Sequence, residues 1–244
     1  MTDSSEVLRI HNLKKSFDKN KVLKGIDFTL FQGEKVVVLG PSGSGKSTFL
    51  RSINRLEEPT AGEIYFRDEL LTDKNIVKAR QKIGMVFQHF NLINNLTVLE
   101  NLTLAPVTLK ILTEPEAIKK AHELLRHIGL SHKEHAYPSS LSGGEKQRIA
   151  IIRAMMMNPE ILLFDEPTSA LDPEAIGDVL SLIHELADRS MTIIIVTHEI
   201  NFAKEIATRV IFIDSGKIIE EGPPSTFFTN PSTDRVKEFL RKVL

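Results

Sequence analysis

The sequence lacks cysteine and tryptophan, and it has only two tyrosines among 244 residues. Without cysteine the chain forms no disulfide bonds and no thiolate metal sites, which fits a reducing cytosol. Basic residues number 31 and acidic residues 32, so there is no excess of positive charge to attract nucleic acid or anionic lipid. We therefore expect no nucleic-acid partner.

Long apolar stretches are also missing. The longest apolar runs, such as 161–164 and 193–196, are far shorter than the roughly 20 residues that span a bilayer. The first residues, M-T-D-S-S-E, contain no basic segment followed by an apolar one, so we expect no signal peptide. Any role at a membrane must therefore come through a partner, while the hydrophobic content of 41% suffices for one compact domain.

The most informative motif lies at residues 40–48, where G-P-S-G-S-G-K-S-T follows an apolar run. It matches G-x-x-x-x-G-K-[ST], a loop that binds phosphates between a buried strand and a helix. Its glycines allow several N–H groups to point at one anion, and the helix start adds its positive dipole end. A Gly/Ser-rich surface turn is the alternative. The motif predicts a nucleoside triphosphate bound by Gly40, Pro41, Ser42, Gly43, Ser44, Gly45, Lys46, Ser47 and Thr48, with Lys46 at the β- and γ-phosphates and Ser47 at Mg²⁺.

Short apolar segments at 7–10, 22–30 and 62–66 predict an antiparallel sheet beside this loop. Phe17 precedes a turn between the first two segments, and Val22 follows that turn. We expect Phe17 to stack on adenine and Val22 to touch the ribose or base. The alternative is that Phe17 fills the core at the end of a strand.

A helical pattern occupies residues 90–155. Capping boxes at 97–100 and 113–116 predict two helix starts, Pro106 is expected to close the first helix, and Gly129 the second. We predict that this segment is a helical subdomain inserted into an α/β core formed by residues 1–89 and 156–244.

Four apolar runs of the core end in polar residues, and in a parallel sheet the ligand lies beyond such strand ends. Besides the loop itself, these residues are Gln88, Asp165, Glu166 and His198. Asp165 is the expected Mg²⁺ partner through bound water, and Glu166 is expected to orient or deprotonate the attacking water. Gln88 is expected to reach the metal or that water, and His198 the γ-phosphate. Each alone also fits a structural role, but the set favours one phosphate-centred site.

A second phosphate-type helix start occurs at residues 141–148, L-S-G-G-E-K-Q-R. Ser142 and Glu145 form a capping box, while Gly143 and Gly144 leave the backbone amides bare. A well-capped helix with no ligand is the alternative. Because the chain already has one phosphate loop, the second start suggests two copies of the chain facing each other.

Together these motifs resemble the ATPase subunit of an ATP-binding cassette (ABC) transporter, over essentially the whole chain. The resemblance rests on 40–48, Gln88, 141–148, I-L-L-F-D-E-P at 161–167, S-A-L-D at 169–172 and His198. It implies an α/β fold, a RecA-like P-loop NTPase core with a mostly parallel sheet, an antiparallel β subdomain and an inserted helical subdomain. It also implies a head-to-tail, ATP-dependent homodimer, in which each ATP lies between one P-loop and Ser142, Gly143 and Gly144 of the other copy.

A narrower resemblance, to bacterial polar amino acid importers, rests on F-Q-H-F-N-L at 87–92, T-V-L-E-N-L-T-L-A-P at 97–106 and E-E-G-P-P at 220–224. It implies transmembrane permease partners, a periplasmic or extracellular solute-binding protein, and a peripheral location on the cytoplasmic membrane face. Lipoprotein release, cell division and iron–sulfur assembly remain alternatives. The signature departs from this subgroup at Glu145-Lys146, where two glutamines are common. Because Glu145 still caps the helix we expect activity to survive, with its negative charge weakening the binding of the partner's ATP slightly.

Overall fold

The computed structural model describes residues 5–243. Most of M-T-D-S-S-E, on which the expectation of no signal peptide rests, lies outside this range. One of two sheets is antiparallel with strand order β2-β1-β4-β5, which confirms the predicted sheet beside the P-loop. Its strands are β1 (Glu6–Phe17), β2 (Asn20–Phe31), β4 (Ala61–Phe66) and β5 (Glu69–Leu70).

The second sheet has strand order β10-β9-β3-β8-β7-β6, and its strands are parallel except for β10, which pairs antiparallel with β9. This confirms the predicted α/β fold with a mostly parallel sheet. Its strands are β3 (Lys35–Leu39), β6 (Ile83–Val86), β7 (Ile161–Asp165), β8 (Thr192–Val196), β9 (Arg209–Asp214) and β10 (Lys217–Gly222).

The central strands β3, β7 and β8 are apolar except for one terminal residue each, because both faces of the sheet are buried. Side chains alternate between the faces. Val37 and Leu39 therefore pack into one hydrophobic core with the helices between residues 98 and 188, while Val36 and Val38 pack into a second core with β1 and β2. This double burial fixes the carboxyl ends of β3, β7 and β8 at one edge of the sheet.

The helices, in chain order, are α1 (Lys46–Ile53), α2 (Ile76–Lys82), α3 (Val98–Thr108), α4 (Glu114–His127), α5 (Gly143–Met155), α6 (Pro173–Asp188), α7 (Ile200–Ile206), α8 (Pro224–Phe227) and α9 (Asp234–Val243). Helices α3–α5 follow one another between β6 and β7, as the sequence pattern predicted. Whether residues 90–155 form a separate subdomain stays a prediction. Residues 5–243 contain no helix with the length and apolar character that a membrane crossing requires.

Both predicted capping boxes are present, at Thr97 with Glu100 and at Thr113 with Glu116. The expectation that Pro106 closes α3 is wrong, because the proline lies inside the helix and α3 continues to Thr108. Proline lacks one N–H group, but its fixed φ is helical. The next N–H groups keep their acceptors, and Leu109 N still donates to Ala105 O at 3.0 Å.

The turn between β9 and β10 supports the P-loop. Gly216 N donates to Ser44 O at 3.1 Å, and Gly216 O accepts from Lys24 N at 2.9 Å. A Cβ at Gly40 would collide with the carbonyl oxygen of Ile213. The loop therefore takes its shape against a hairpin from the last part of the chain.

Candidate nucleotide site

A cavity of about 470 Å³ lies at the carboxyl edge of the parallel sheet. Three parts of the chain form it: the start of β2, the P-loop with the start of α1, and the ends of β7 and β8. It is lined by Val22, Ser42, Gly43, Gly45, Lys46, Ser47, Thr48, Glu166 and His198. The structure thus brings most of the sequence-predicted nucleotide and catalytic residues to one place.

The start of α1 has no side-chain cap. Its N-cap residue is Gly45, with φ of 105°, and there is no acidic residue in the first turn. Only glycine adopts this backbone conformation readily, and a Cβ there would also lie 2.9 Å from Leu23 Cδ2. The first backbone N–H groups of the helix are therefore left for an anionic ligand.

Lys46 is buried within the loop, with 4% of its surface exposed. Its ammonium group donates to Gly40 O at 2.9 Å and to Pro41 O at 3.0 Å. Burial lowers the pKa of Lys46, and the nearby carboxylates of Glu166 and Asp165 oppose that shift. An ammonium group has three donors, so one remains for a phosphate oxygen.

Glu166 and His198 are in contact, with Oε1 and Nε2 3.1 Å apart. The hydrogen bond from His198 lowers the pKa of Glu166 against the opposing effect of burial, and the charges of His198 and Lys46 lower it further. Glu166 is therefore an ionised acceptor at neutral pH. Its backbone has a φ of 47°, an uncommon left-handed conformation that costs on the order of 1–3 kcal/mol. Its N–H, bonded to Val196 O at 3.0 Å, helps to hold it there.

Asp165 lies at the end of β7 and is 1% exposed. Its Oδ2 accepts two hydrogen bonds from Arg51, from Nε at 3.0 Å and from Nη2 at 2.9 Å. Its Oδ1 is buried and has no hydrogen-bond partner among the described residues. Because a buried carboxylate oxygen without a donor is costly, this oxygen fits a hydrated divalent cation such as Mg²⁺.

Arg51 is a site residue that sequence reasoning missed. A signal for it was available, because Arg51 follows Ser47 by four residues on α1 and so lies on the same helix face.

Within the described part of the chain, the cavity lining does not include six of the predicted residues near this site: Phe17, Gly40, Pro41, Ser44, Gln88 and Asp165. Phe17 is 42% exposed, so the alternative that it fills the core is wrong. The ammonium group of Lys15 lies 4.6 Å from the centre of its ring. Gln88 follows β6 and is half-buried. The contacts of these residues with a nucleotide or metal stay predictions.

The second phosphate-type helix start is closed by its own side chains. Ser142 N donates to Glu145 Oε2 at 2.8 Å, and Glu145 N donates to Ser142 Oγ at 3.3 Å. The predicted capping box is therefore present. Gly144 packs tightly on α6, since a Cβ would lie 2.7 Å from that of Ala175. Among residues 5–243, neither Ser142, Gly143 nor Gly144 lines the P-loop cavity.

A phosphate loop after one strand of a parallel sheet, with carboxylates at the end of another, defines a P-loop nucleotide hydrolase. The sequence profile of the ABC transporter family matches residues 23–169. The chain belongs to this family and is one of its ATP-hydrolysing subunits, as its motifs predicted.

Curated relatives match nearly the whole chain. The chain is 52% identical to the arginine transport ATP-binding protein ArtM of Bacillus subtilis, with 98% of this chain and 100% of ArtM covered. It is 50% identical to the glutamine transport ATP-binding protein GlnQ of Geobacillus stearothermophilus, with coverage of 98% and 99%.

Solved structures with the same fold include a dimer of the ATP-binding cassette MJ0796 bound to ADP and Pi. Its TM-score is 0.80 at 37% identity, with 89% of this chain and 98% of that chain covered. The cbiO1 subunit of Clostridium perfringens gives a TM-score of 0.81 at 32% identity, with coverage of 98% and 94%.

Proposed function

We propose that this chain powers the uptake of polar amino acids by hydrolysing ATP on the cytoplasmic face of the membrane. Relatives at about half identity are named for arginine and glutamine transport, and both are covered almost completely. Transmembrane permease subunits would form the path for the cargo. A periplasmic or extracellular solute-binding protein would deliver the cargo to them.

The working unit in this proposal is a head-to-tail dimer that forms on ATP. One observation carries it: the P-loop cavity is built without the helix start at Ser142–Gly144, although the capping box of that start bonds only the N–H groups of Ser142 and Glu145 and leaves those of Gly143 and Gly144 for an anion. A second copy would supply its own Ser142, Gly143 and Gly144 to complete the site. The MJ0796 cassette, similar in fold, is described as a dimer bound to ADP and Pi.

Each side chain at the cavity has a role in ATP hydrolysis under this proposal. The N–H groups at the start of α1 and the ammonium group of Lys46 hold the β- and γ-phosphates. Glu166, held ionised beside His198, orients the attacking water and accepts its proton. His198 keeps Glu166 in place and is expected to form a hydrogen bond with the γ-phosphate.

The remaining predicted ligands surround this centre. Phe17 stacks on adenine, which its exposed ring allows, and Val22 contacts the ribose or base. Ser47, Gln88 and Asp165 would hold Mg²⁺, with Arg51 fixing the Asp165 carboxylate. When bound, Mg²⁺ neutralises charge on the β- and γ-phosphates.

Reconstitution would test the transport assignment. The chain would be purified with the permease subunits encoded beside its gene and placed in liposomes containing ATP. Uptake of labelled arginine, glutamine, glutamate and cystine would then be compared with that of sugars and lipoprotein substrates. ATP-dependent uptake of a polar amino acid supports the proposal. ATP hydrolysis that is stimulated by lipoprotein alone, with no uptake of an amino acid, would overturn it.

A further inference from the structure

Glu145 places a negative charge where the proposed dimer would receive the partner's triphosphate. It is the third residue of α5, directly after Gly143 and Gly144, and its side chain is 18% exposed. An anion at the start of a helix stabilises that helix, but it also repels a bound phosphate. The charge therefore needs a counter-ion if the helix start is to bind ATP.

Lys133 supplies that counter-ion. Its ammonium group lies 3.5 Å from Glu145 Oε1, while Glu145 Oε2 accepts from Ser142 N at 2.8 Å. The two carboxylate oxygens thus have separate partners. Burial raises the pKa of Glu145, but the Ser142 hydrogen bonds and the charge of Lys133 together outweigh it, so the pKa is lowered. The carboxylate stays ionised and paired.

The segment that carries Lys133 is anchored to two other helices. It forms a 3-10 turn at Ser131–Lys133, after α4. The next carbonyls cap the start of α3, because Leu99 N donates to Glu134 O at 2.9 Å and Val98 N donates to Ala136 O at 2.9 Å. The Glu134 side chain pairs with His122 of α4 at 2.7 Å, so it does not compete for Lys133. These contacts with α3 and α4 therefore hold the segment that places Lys133 beside α5.

We propose that Lys133 is a positioning residue of the ATP-bound dimer. It neutralises the charge of the Glu145 carboxylate and, through Glu145, holds the Ser142–Gly144 helix start in place. This inference rests on the proposed function, since it assumes that the helix start meets the second copy's ATP. It also revises the expectation that Glu145 weakens ATP binding, because the carboxylate carries its own counter-ion.

The test uses the full chain with Glu166→Gln, so that ATP is bound but not consumed. Dimer dissociation constants with ATP and Mg²⁺ would be measured by analytical ultracentrifugation at low and high salt. We expect Lys133→Gln to weaken the dimer about two- to fivefold at low salt and less at high salt, as for a partly exposed ion pair. Lys133→Arg should restore the affinity, and nucleotide affinity of the monomer should not change.

The decisive comparison measures the effect of Lys133→Gln on the dimer dissociation constant in a chain that also carries Glu145→Gln. With no charge to neutralise, Lys133→Gln should then have no effect on the dimer. Lys119→Gln, which removes an exposed lysine of α4, is the matched control. An equal loss in both backgrounds, or no loss in either, would overturn the inference and leave the proposed function standing. Failure of the Glu166→Gln chain with Lys133 intact to dimerise on ATP would instead remove the proposed dimer, and this inference with it.

Discussion

The two phosphate-type helix starts of this chain are built in opposite ways. The start of α1 has a glycine at the N-cap, no side-chain cap and no acidic residue in its first turn. The start of α5 has a complete capping box formed by Ser142 and Glu145. The first start leaves its amides for a ligand, whereas the second satisfies part of its own amides and keeps its shape alone. In the proposed dimer, the open start of each copy would bind that copy's nucleotide, and the closed start of each copy would complete the site of the other copy.

The largest expected effect is on ATP hydrolysis, when the Glu166 carboxylate beside the open start of α1 is removed. Glu166→Gln keeps the size of the side chain but loses the carboxylate that we propose accepts the proton of water. We expect kcat to fall by about 10²–10⁴ while ATP affinity stays near that of the unsubstituted chain. Steady-state hydrolysis and equilibrium ATP binding would be measured on one preparation. Ordinary turnover would exclude Glu166 as the base.

Lys46→Ala would damage binding at the open start. The ammonium group is the charged donor of the loop, and a hydrogen bond to a charged group contributes about 1.5–3 kcal/mol. We expect ATP affinity of the monomer to fall about 10- to 100-fold, measured with a fluorescent ATP analogue. Lys119→Ala is the control for loss of a lysine, and unchanged affinity in Lys46→Ala would contradict the phosphate-loop assignment.

Ser142→Arg addresses the closed start. The substitution removes the side-chain cap and adds a long side chain next to the N–H groups of Gly143 and Gly144, while Ser142 does not line the P-loop cavity. We expect monomer binding of ATP to be spared and the ATP-dependent dimer to weaken at least about tenfold, because the loss includes charged hydrogen bonds to the partner's phosphate. Dimerisation at the level of the unsubstituted chain would show that the two starts do not meet.

The two glycines of the closed start should differ in their effects on stability. A Cβ at Gly144 would lie 2.7 Å from the Cβ of Ala175, whereas the nearest atom to a Cβ at Gly143 is Leu171 Cδ2 at 3.4 Å. We expect Gly144→Ala to lower the free energy of unfolding in urea by about 1–3 kcal/mol through overpacking. Gly143→Ala should cost less. If Gly143→Ala lowered the free energy of unfolding more than Gly144→Ala, α5 would not pack on α6 at Gly144.

The smallest expected effect concerns pH. The hydrogen bond from His198 lowers the pKa of Glu166, so the carboxylate stays ionised to a lower pH than an ordinary glutamate. His198→Ala removes this effect, and the folded-state pKa of Glu166 should rise. The acid limb of kcat/KM should therefore move to higher pH, as measured between about pH 3 and pH 7, a range that includes the ordinary glutamate pKa of about 4.3. If the acid limb does not move in His198→Ala, a group other than Glu166 controls it.

Features set by neighbouring residues could be predicted from sequence. The P-loop, the strand ends and the capping boxes each depend on residues within a few positions, so their patterns identify them. The convergence of Glu166 and His198 also followed, because parallel strands end at one edge of the sheet. The error at Pro106 came from treating proline as a stop when its missing N–H group affects only one hydrogen bond.

Pairings between distant segments could not be predicted. The position of Arg51 four residues after Ser47 indicates only that it lies near the phosphate loop, and its pairing with Asp165, 114 residues away, depends on the fold. Lys133 and Glu145 lie on a turn and a helix whose packing decides that they touch. The exposure of Phe17 likewise depends on which surfaces the rest of the fold covers. Tertiary structure alone sets these contacts.

The hairpin that supports the P-loop has a consequence for the newly made protein. The loop is encoded early, but Ser44 and Gly40 rest against Gly216 and Ile213, which are translated much later. A nascent chain therefore lacks both of these contacts to its phosphate loop until residues 213–216 have left the ribosome.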